Sequence, residues 1–293
     1  MRSRPALALV AIAAVVVPAF AQADRVLLRV QPHVGDTLHT RFEQDVEMVG
    51  RTKLHGADTT FRSYTSVLIL ARVIVQASDS TGCTLLAITD SVSILSVQAQ
   101  ALAPGESARR AMQGQEILLR IKPDGSAGFV KAPADLEPEV GALVASMPAV
   151  LSPRPVVPGG SWESAMTVPV GGDREAGHGA QLRASYRLDS LSADGGRAYI
   201  GLAGFVTRDS ADAPMRAGTR LASRGTVSGS FTLDRRRGWW SDASIRITLG
   251  STITPAAAKG APAGSAPPPV KVQTRITQHI HTEDPHPRAA PPG

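Results

Sequence analysis

Cysteine, aromatic residues and long apolar runs are all scarce in this sequence of 293 residues. The single cysteine excludes a disulfide framework and any zinc module built on several cysteines. No apolar run reaches the roughly 18 residues of a membrane-spanning helix, which excludes a protein with several such helices. The 4% aromatic content, beside 27 glycines and 22 prolines, indicates many turns between strands that carry few large side chains.

Positive charge is present, but it is not clustered. The formal net charge is +6, and 26 arginines and 5 lysines are scattered along the chain. Proteins that bind nucleic acids concentrate such charge on one element, so we expect no nucleic-acid partner. The sequence contains no Gly-x-Ser-x-Gly, His-Glu-x-x-His or phosphate-loop motif. We therefore expect a protein that is not an enzyme and has no cofactor.

The first 23 residues have the pattern of a secretory signal peptide. Arg2 and Arg4 precede an apolar stretch from Ala6 to Val17, and two small-x-small cleavage sites follow, ending at residues 21 and 23. We expect cleavage after one of them and export to the periplasm or the extracellular space. The apolar stretch is too short for a lasting anchor, so the mature chain is not expected to be an integral membrane protein.

Apolar and polar residues alternate with a period of two through most of the mature chain. The clearest stretches are residues 38–48, 182–188, 227–233, 245–249 and 270–281. Strands with one covered face and one face in water are typical of antiparallel sheets. The sequence therefore predicts an all-β protein.

Turn signals separate these strands at fairly regular intervals. They lie at residues 34–36, 78–82, 123–125, 193–196 and 237–238. Similar hairpins follow in the same order in both halves, which predicts an internal duplication, although all hairpins share turn chemistry. We expect two similar antiparallel curved sheets or half-barrels, the first β half at residues 24–134 and the second at residues 159–284.

One short linking helix is predicted between the halves, within a connection at residues 135–158. Asp135 suits the N-cap, Pro148 ends the helix, and a Pro-rich extended chain follows. Its apolar stripe consists of Leu136, Val140, Leu143, Val144 and Met147. We expect this helix to cover the inner face of a curved sheet. A low-complexity loop at residues 255–269 is predicted to be disordered and to close a long hairpin, and residues 285–293 form a flexible tail.

Two segments carry a resemblance to a known family. They are Leu28-Arg29-Val30 followed by Gly35-Asp36-Thr37-Leu38, and Met147-Pro148-Ala149-Val150 leading to Pro155-Val156-Val157-Pro158-Gly159-Gly160-Ser161-Trp162. The chain resembles an uncharacterised family of exported bacterial β-rich proteins, a domain of unknown function. The Gly-Gly-Ser-Trp element departs from the Gly-Asp-x-Trp form of that family. The resemblance implies an envelope or secreted location and a β-rich fold, and it implies no activity.

The sharpest local signal is a run of three arginines, a glycine and two tryptophans. Arg235, Arg236 and Arg237 lie at a hairpin tip beside Trp239 and Trp240. Cations next to tryptophan rings can dock on anionic lipid headgroups. Alternatively, the arginines form a solvated turn and the tryptophans pack into a core that has few aromatic residues.

Three other positions raise the possibility of chemistry. His279 and His281 lie on the same face of a strand, close enough to share a metal ion, although an exposed polar strand face explains both equally well. His178 lies in a polar, glycine-rich stretch that resembles either a catalytic loop or a hairpin connection.

Cys83 and Asp90 lie near each other in the sequence. Cys83 follows a turn with no histidine or cation beside it, and we expect a free, half-buried thiol that packs as a small apolar residue. Asp90 lies among apolar residues, where a buried carboxylate would need a partner. We expect a bulge or a strand end to turn it towards solvent.

These features favour an exported, non-enzymatic envelope protein. Few aromatic residues are available to fill a curved sheet, so a concave β surface is expected to bind a lipid or another apolar ligand. One alternative is a structural or protein-interaction module of the envelope that uses exposed strand edges. The other is a hydrolase whose catalytic residues are dispersed in the sequence.

Overall fold

The alternating sequence forms strands through most of the chain that the structure describes. The computed structural model describes residues 25–54, 56–98, 109–110, 112–131, 150–168, 180–208, 220–255 and 267–283. The strands are β1 (Thr37–Leu54), β2 (Ala57–Asp79), β3 (Gly82–Gln98), β4 (Glu116–Ile121), β5 (Ala127–Lys131), β6 (Ser161–Val168), β7 (Ala180–Leu191), β8 (Arg197–Arg208), β9 (Arg220–Asp234), β10 (Trp239–Thr254) and β11 (Val270–Glu283). The prediction of an all-β, antiparallel protein is confirmed.

The eleven strands of the described residues belong to one open sheet, in the order β5-β4-β3-β2-β1-β11-β10-β9-β8-β7-β6. The first strand pairs with the last, from His39 opposite Glu283 to Arg51 opposite Lys271. The expected pair of separate sheets is therefore wrong, and an internal duplication is not supported. Turn residues reveal hairpins between neighbouring strands, but the β1–β11 pairing joins the two ends of the chain and leaves no local signal.

Several predicted boundaries can be compared with the structure. The structure has a turn at each of the five predicted turn positions. Strands β10 and β11 pair with each other and form the long hairpin predicted around residues 255–269. The signal peptide at 1–23, the helix at 135–147, most of the 255–269 loop and the tail at 285–293 lie outside the described residues. In the part of the chain that is described, no helix is long and apolar enough to cross a membrane.

The sheet curls strongly at one end, here called the base, where the β2–β3, β4–β5, β7–β8 and β9–β10 turns lie. Strands β5 and β10 are six places apart in the sheet. At about 4.8 Å per place, a flat sheet would separate them by about 29 Å. A Cβ atom placed on Gly125, in the β4–β5 turn, would nevertheless lie 3.7 Å from the Trp240 ring of β10.

The chain before β6 joins the two arms of the sheet, β5 to β1 and β11 to β6, at the base. The N–H groups of Val150 and Leu151 both donate to the carbonyl of Asp124 in the β4–β5 turn, each at 2.9 Å. On the other side, Trp162 of β6 donates its indole N–H to the Val150 carbonyl at 2.9 Å. This connection therefore links the neighbourhoods of both edge strands.

The segment before β1, residues 25–34, crosses the same base in an extended conformation and is here called the crossing segment. Val26 forms a β-bridge with Val156. The N–H groups of Val30 and Gln31 donate to the carbonyls of Pro123 and Gly238, each at 2.9 Å. These bonds tie the segment to the β4–β5 and β9–β10 turns, which belong to different arms of the sheet.

The hydrophobic core lies at the base, between these two segments and the inner face of the sheet. Leu28, Val30 and Leu151 come from the segments and are almost completely buried. From the sheet, the core includes Leu38, Val75, Cys83, Leu85, Ala184, Tyr186, Leu188, Ala198, Ile200, Leu202, Val227, Phe231, Leu233, Trp239 and Ala243. The inner face is the face on which Leu38, Val75 and Ile200 lie.

Three inner-face glycines allow neighbouring backbones to approach closely in β8 and β9. A Cβ atom on Gly204, Gly225 or Gly229 would lie 2.3, 2.1 or 2.3 Å from a carbonyl oxygen of the adjacent strand. No side chain fits at such distances. Glycines of this kind let strands bend and coil, so they contribute to the curl of this arm.

Cys83 is completely buried in the core, as a free thiol. Burial raises its pKa to about 11 from an ordinary value of 9.0. A thiol that stays protonated at neutral pH is a poor nucleophile, so Cys83 acts as a small apolar core residue.

Replacing Gly225 by alanine is expected to destabilise the fold by about 1–3 kcal/mol, because the added methyl group overlaps the Thr248 carbonyl. Gly250 of β10 provides the matched control, since a Cβ atom there would meet its nearest neighbour at 3.8 Å. Urea denaturation of both variants measures the difference. Equal stability of Gly225→Ala and Gly250→Ala would contradict the close approach of β9 and β10.

The buried thiol predicts a loss of stability in alkali. Between about pH 9 and pH 11 the unfolded thiol loses its proton while the folded one keeps it, so the free energy of unfolding falls. In Cys83→Val this fall is expected to be less steep, as measured by urea denaturation across that range. Tyr186, whose pKa burial raises to about 12, is present in both proteins and cancels in the comparison. Parallel curves would show that the Cys83 thiol is not buried in the folded state.

Candidate functional site

The two faces of the sheet differ in chemistry. The outer face carries ion pairs between neighbouring side chains: Arg41 with Glu43, Arg72 with Asp90, Glu47 with Arg275, and Arg187 with Asp189. The inner face of the same strands carries mainly apolar residues. The ion pairs thus distinguish the outer face, which also exposes single apolar side chains such as Leu70, Leu95 and Phe205.

Beyond the core, the inner face of the four central strands carries half-buried apolar side chains, here called the apolar stripe. It consists of Val67 and Ile69 of β2, Phe42, Val46 and Met48 of β1, Val272, Ile276 and Ile280 of β11, and Ile245, Ile247 and Leu249 of β10. At inner positions of β7, β8 and β9, by contrast, Ala180, Val206 and Leu221 are buried. Partly exposed apolar side chains are thus concentrated on the central strands, and Ile94 of β3 and Leu182 of β7 are further half-buried residues of this face.

The polar side chains of the inner face pair largely with one another. Three cross-strand pairs are hydrogen bonded: Gln44 with Gln278 at 2.7 Å, Ser223 with Ser251 at 2.8 Å, and Thr65 with Ser96 at 3.4 Å. Thr40 and Thr282, opposite each other where the stripe meets the core, have buried hydroxyls without a partner among the described residues. The stripe itself therefore presents few polar groups that a ligand must satisfy.

The structure separates the arginines of the 235–240 signal from its tryptophans. Trp239 is buried in the core, and Trp240 packs inward with its ring 5.6 Å from that of Phe231. Further ring contacts continue this row through Tyr186 to Trp162 of β6. The tryptophans therefore support the base from within, while the arginines remain at its surface.

The arginine turn borders a pocket of about 460 Å³ at the outside of the base. Arg235 and Arg236 form one wall, and Arg29 and His33 of the crossing segment lie on another. Arg237 is not among the residues that line this pocket. The structure thus brings two of the three predicted arginines together with two cationic or titratable residues that sequence reasoning did not single out.

A sequence signal for the crossing segment does exist. Leu28, Val30 and Pro32 are buried, whereas Arg29, Gln31 and His33 are exposed. This alternation is visible in the sequence as an extended segment with one apolar side. It is too short to reveal that its polar side faces a turn 200 residues further along the chain.

His279 and His281 lie together on the outer face of β11, as predicted from their spacing. His281 Nδ1 is 2.7 Å from Asp242 Oδ1 of the neighbouring strand. No group of three or more histidine, cysteine, aspartate or glutamate side chains suited to a metal ion occurs among the described residues.

Asp90 occupies a β-bulge, where Leu70 pairs with Ser91 and Ala71 pairs with Thr89. The bulge turns its carboxylate to the outer face, where Arg72 Nε donates to it at 2.8 Å. The expectation that a bulge exposes Asp90 is confirmed. His178, the residue considered for a catalytic loop, lies outside the described residues.

A scan of protein-family models and a search of curated proteins both gave no match to this sequence. Among solved structures, the chain is similar to part of a lipovitellin structure that reports lipid–protein interactions, with 11% identity and a TM-score of 0.48. This similarity covers 88% of the chain but only 26% of the lipovitellin chain, about a quarter of its length.

Two bacterial structures are similar at lower scores. An outer membrane channel from Pseudomonas putida F1 is 11% identical with a TM-score of 0.20, over 87% of this chain and 98% of that one. Pseudomonas aeruginosa OccK5 is 7% identical with a TM-score of 0.27, over 85% and 99% of the two chains. All of these TM-scores lie below 0.5, and none carries an argument about function.

Proposed function

We propose that this protein is an exported, non-enzymatic binding protein of the cell envelope, and that its apolar stripe binds the acyl chain of a lipid or a similar long apolar ligand. The observation that carries the proposal is the half-buried apolar inner face of β2, β1, β11 and β10. The signal pattern of residues 1–23 supports the location.

The dimensions of the stripe suit a long, thin ligand. Four strands spaced by about 4.8 Å give a width of about 14 Å. From Phe42 to Met48, at about 3.3 Å per residue, the stripe is about 20 Å long. The two dimensions give an area of about 280 Å², near the lower end of the range for the largest apolar patch of a soluble monomer, and such patches are often functional.

The chemistry of the stripe favours a ligand without directional polar groups along its length. Ile247 and Ile276 face each other at its centre, and Val46 lies next to them on β1. The side-chain amides of Gln44 and Gln278, which lie opposite each other on the same face, bond to each other. Covering such a surface with methylene groups contributes about 0.8 kcal/mol for each one buried.

Native mass spectrometry of the mature protein, purified gently from a bacterial host, tests this proposal. Wild-type protein is expected to carry an adduct that organic extraction removes and that identifies the ligand class. A clean apo mass before extraction, together with no binding of an added fatty acid, would contradict the proposal.

Substitutions in the stripe locate the site. Ile247→Asn and Ile276→Asn together place two polar amides at the centre of the stripe. They are expected to abolish the adduct, because an apolar ligand would have to desolvate both amides without offering them hydrogen bonds. The matched control is Thr248→Asn with Thr277→Asn, which alters the next residues of the same strands on the outer face. Adduct loss in the control, or retention in the stripe variant, would place the ligand elsewhere.

A second candidate function is self-association through the edge of β3. Residues Ser91–Gln98 pair with β2, but β4 reaches only from Cys83 to Ile88, and no other described strand pairs with this edge. The stretch has no charge and no proline, the usual protections of an exposed edge. Because such an edge is self-complementary, its simplest partner is the same edge of a second copy, paired antiparallel about a two-fold axis.

Sedimentation velocity over a range of concentrations tests this alternative. Leu95 and Val97 are 59% exposed on this edge, and replacing both by lysine is expected to turn a reversible dimer into a monomer. Phe205→Lys is the control, since Phe205 is 50% exposed on the outer face of β8, which has strands on both sides. A monomeric wild-type protein, or equal effects of the two changes, would rule out pairing through β3.

A further inference from the structure

One wall of the pocket at the outside of the base is the exposed, polar side of the crossing segment, whose side chains point alternately into the core and outwards. In the crossing segment, Leu28, Val30 and Pro32 enter the core, which directs Arg29, Gln31 and His33 outwards. The bonds from Val30 to Pro123 and from Gln31 to Gly238 fix the backbone immediately after Arg29. Arg29 is therefore presented by a rigid backbone.

The other wall of the pocket is the β9–β10 turn, whose backbone is also fixed by hydrogen bonds and close packing. Asp234 accepts hydrogen bonds from the N–H groups of Arg236 and Arg237 at 2.9 and 3.0 Å. Gly238 has φ 65°, and a Cβ atom there would lie 2.3 Å from the Gln31 carbonyl oxygen. The turn therefore packs directly against the crossing segment, and only glycine permits this approach.

Positive charge in this pocket exceeds negative charge. Arg236 pairs with Asp194 at 2.9 Å, and His33 lies 3.6 Å from Asp36. Arg235 donates to the carbonyl of Gly195 rather than to a carboxylate. Arg29 has no ion-pair partner within the described ranges of the chain. Two guanidinium groups therefore remain without a counter-charge around one concave space.

We infer that this pocket binds a phosphate group, either of a soluble compound or of a lipid headgroup. Guanidinium groups donate parallel N–H pairs that match phosphate oxygens, and two uncompensated charges match a phosphate better than a single carboxylate. Ser78 and Gln31 add neutral polar groups to the lining. Because the core lies between the pocket and the apolar stripe, this inference does not depend on the proposed function.

Two probes distinguish the sources of phosphate. Titration calorimetry measures the binding of inorganic phosphate to the mature protein, and flotation measures its binding to vesicles of phosphatidylcholine with phosphatidic acid, beside vesicles of phosphatidylcholine alone. Binding of inorganic phosphate alone assigns a soluble ligand, whereas binding only to the acidic vesicles assigns a lipid headgroup. Failure to bind either probe would overturn the inference.

Arg29→Gln is expected to weaken whichever binding is observed by about tenfold or more, because the paired N–H groups of one charged guanidinium (the guanidinium fork) no longer donate to the phosphate. Arg29→Lys keeps the charge without the fork and should give an intermediate loss. The control is Arg220→Gln, which removes the same charge at the opposite end of β9, where the side chain is exposed. Unchanged thermal unfolding of Arg29→Gln establishes that its fold is intact. Equal weakening by Arg29→Gln and Arg220→Gln would show attraction by net charge and overturn the site.

Discussion

The pairing of β1 with β11 is the contact on which the rest of the sheet depends. It brings together residues as distant as Glu47 and Arg275, 228 positions apart in the sequence. Without this ladder the chain would form two meanders with an additional exposed edge each. The ladder also aligns Phe42 with Ile280 and Val46 with Ile276, so the centre of the apolar stripe exists only when the two ends of the chain meet. Closing so long a loop carries a large entropic cost and slows folding.

The curl at the base follows from contacts that a flat sheet cannot make. The crossing segment and the chain before β6 reach both arms, and the row of rings from Trp162 to Trp240 fills the space between them. Strand length falls towards one edge of the sheet, since β2 has 23 residues and β5 has only five. As a result, β4 covers the edge of β3 near the base, and among the described strands none pairs with its far half on that side.

Local chemistry was readable from the sequence, and distant pairing was not. Alternation revealed the strands, glycine and aspartate revealed the turns, and the apolar neighbours of Asp90 led us to expect that a bulge or a strand end turns it towards solvent. The signals at Trp239 and Trp240 left two interpretations, because an aromatic pair beside a turn is equally compatible with packing and with exposure. Only the curl of the sheet decides that these rings point inward. The basic pocket escaped prediction for a similar reason, since Arg29 and Arg235 belong to segments that no local pattern connects.

The two proposed sites are held by the same core but lie on opposite sides of it. Val30 and Leu28 fill the base from which the apolar stripe begins, and Arg29 between them faces the pocket on the outside. A change at either apolar position would therefore disturb both surfaces together, through the packing that they share. A change at Arg29 alters only charge and hydrogen bonding, because its side chain contributes nothing to the core. The alternation of side chains in an extended segment thus separates the core from the pocket within three consecutive residues, and it permits each proposed site to be tested without the other.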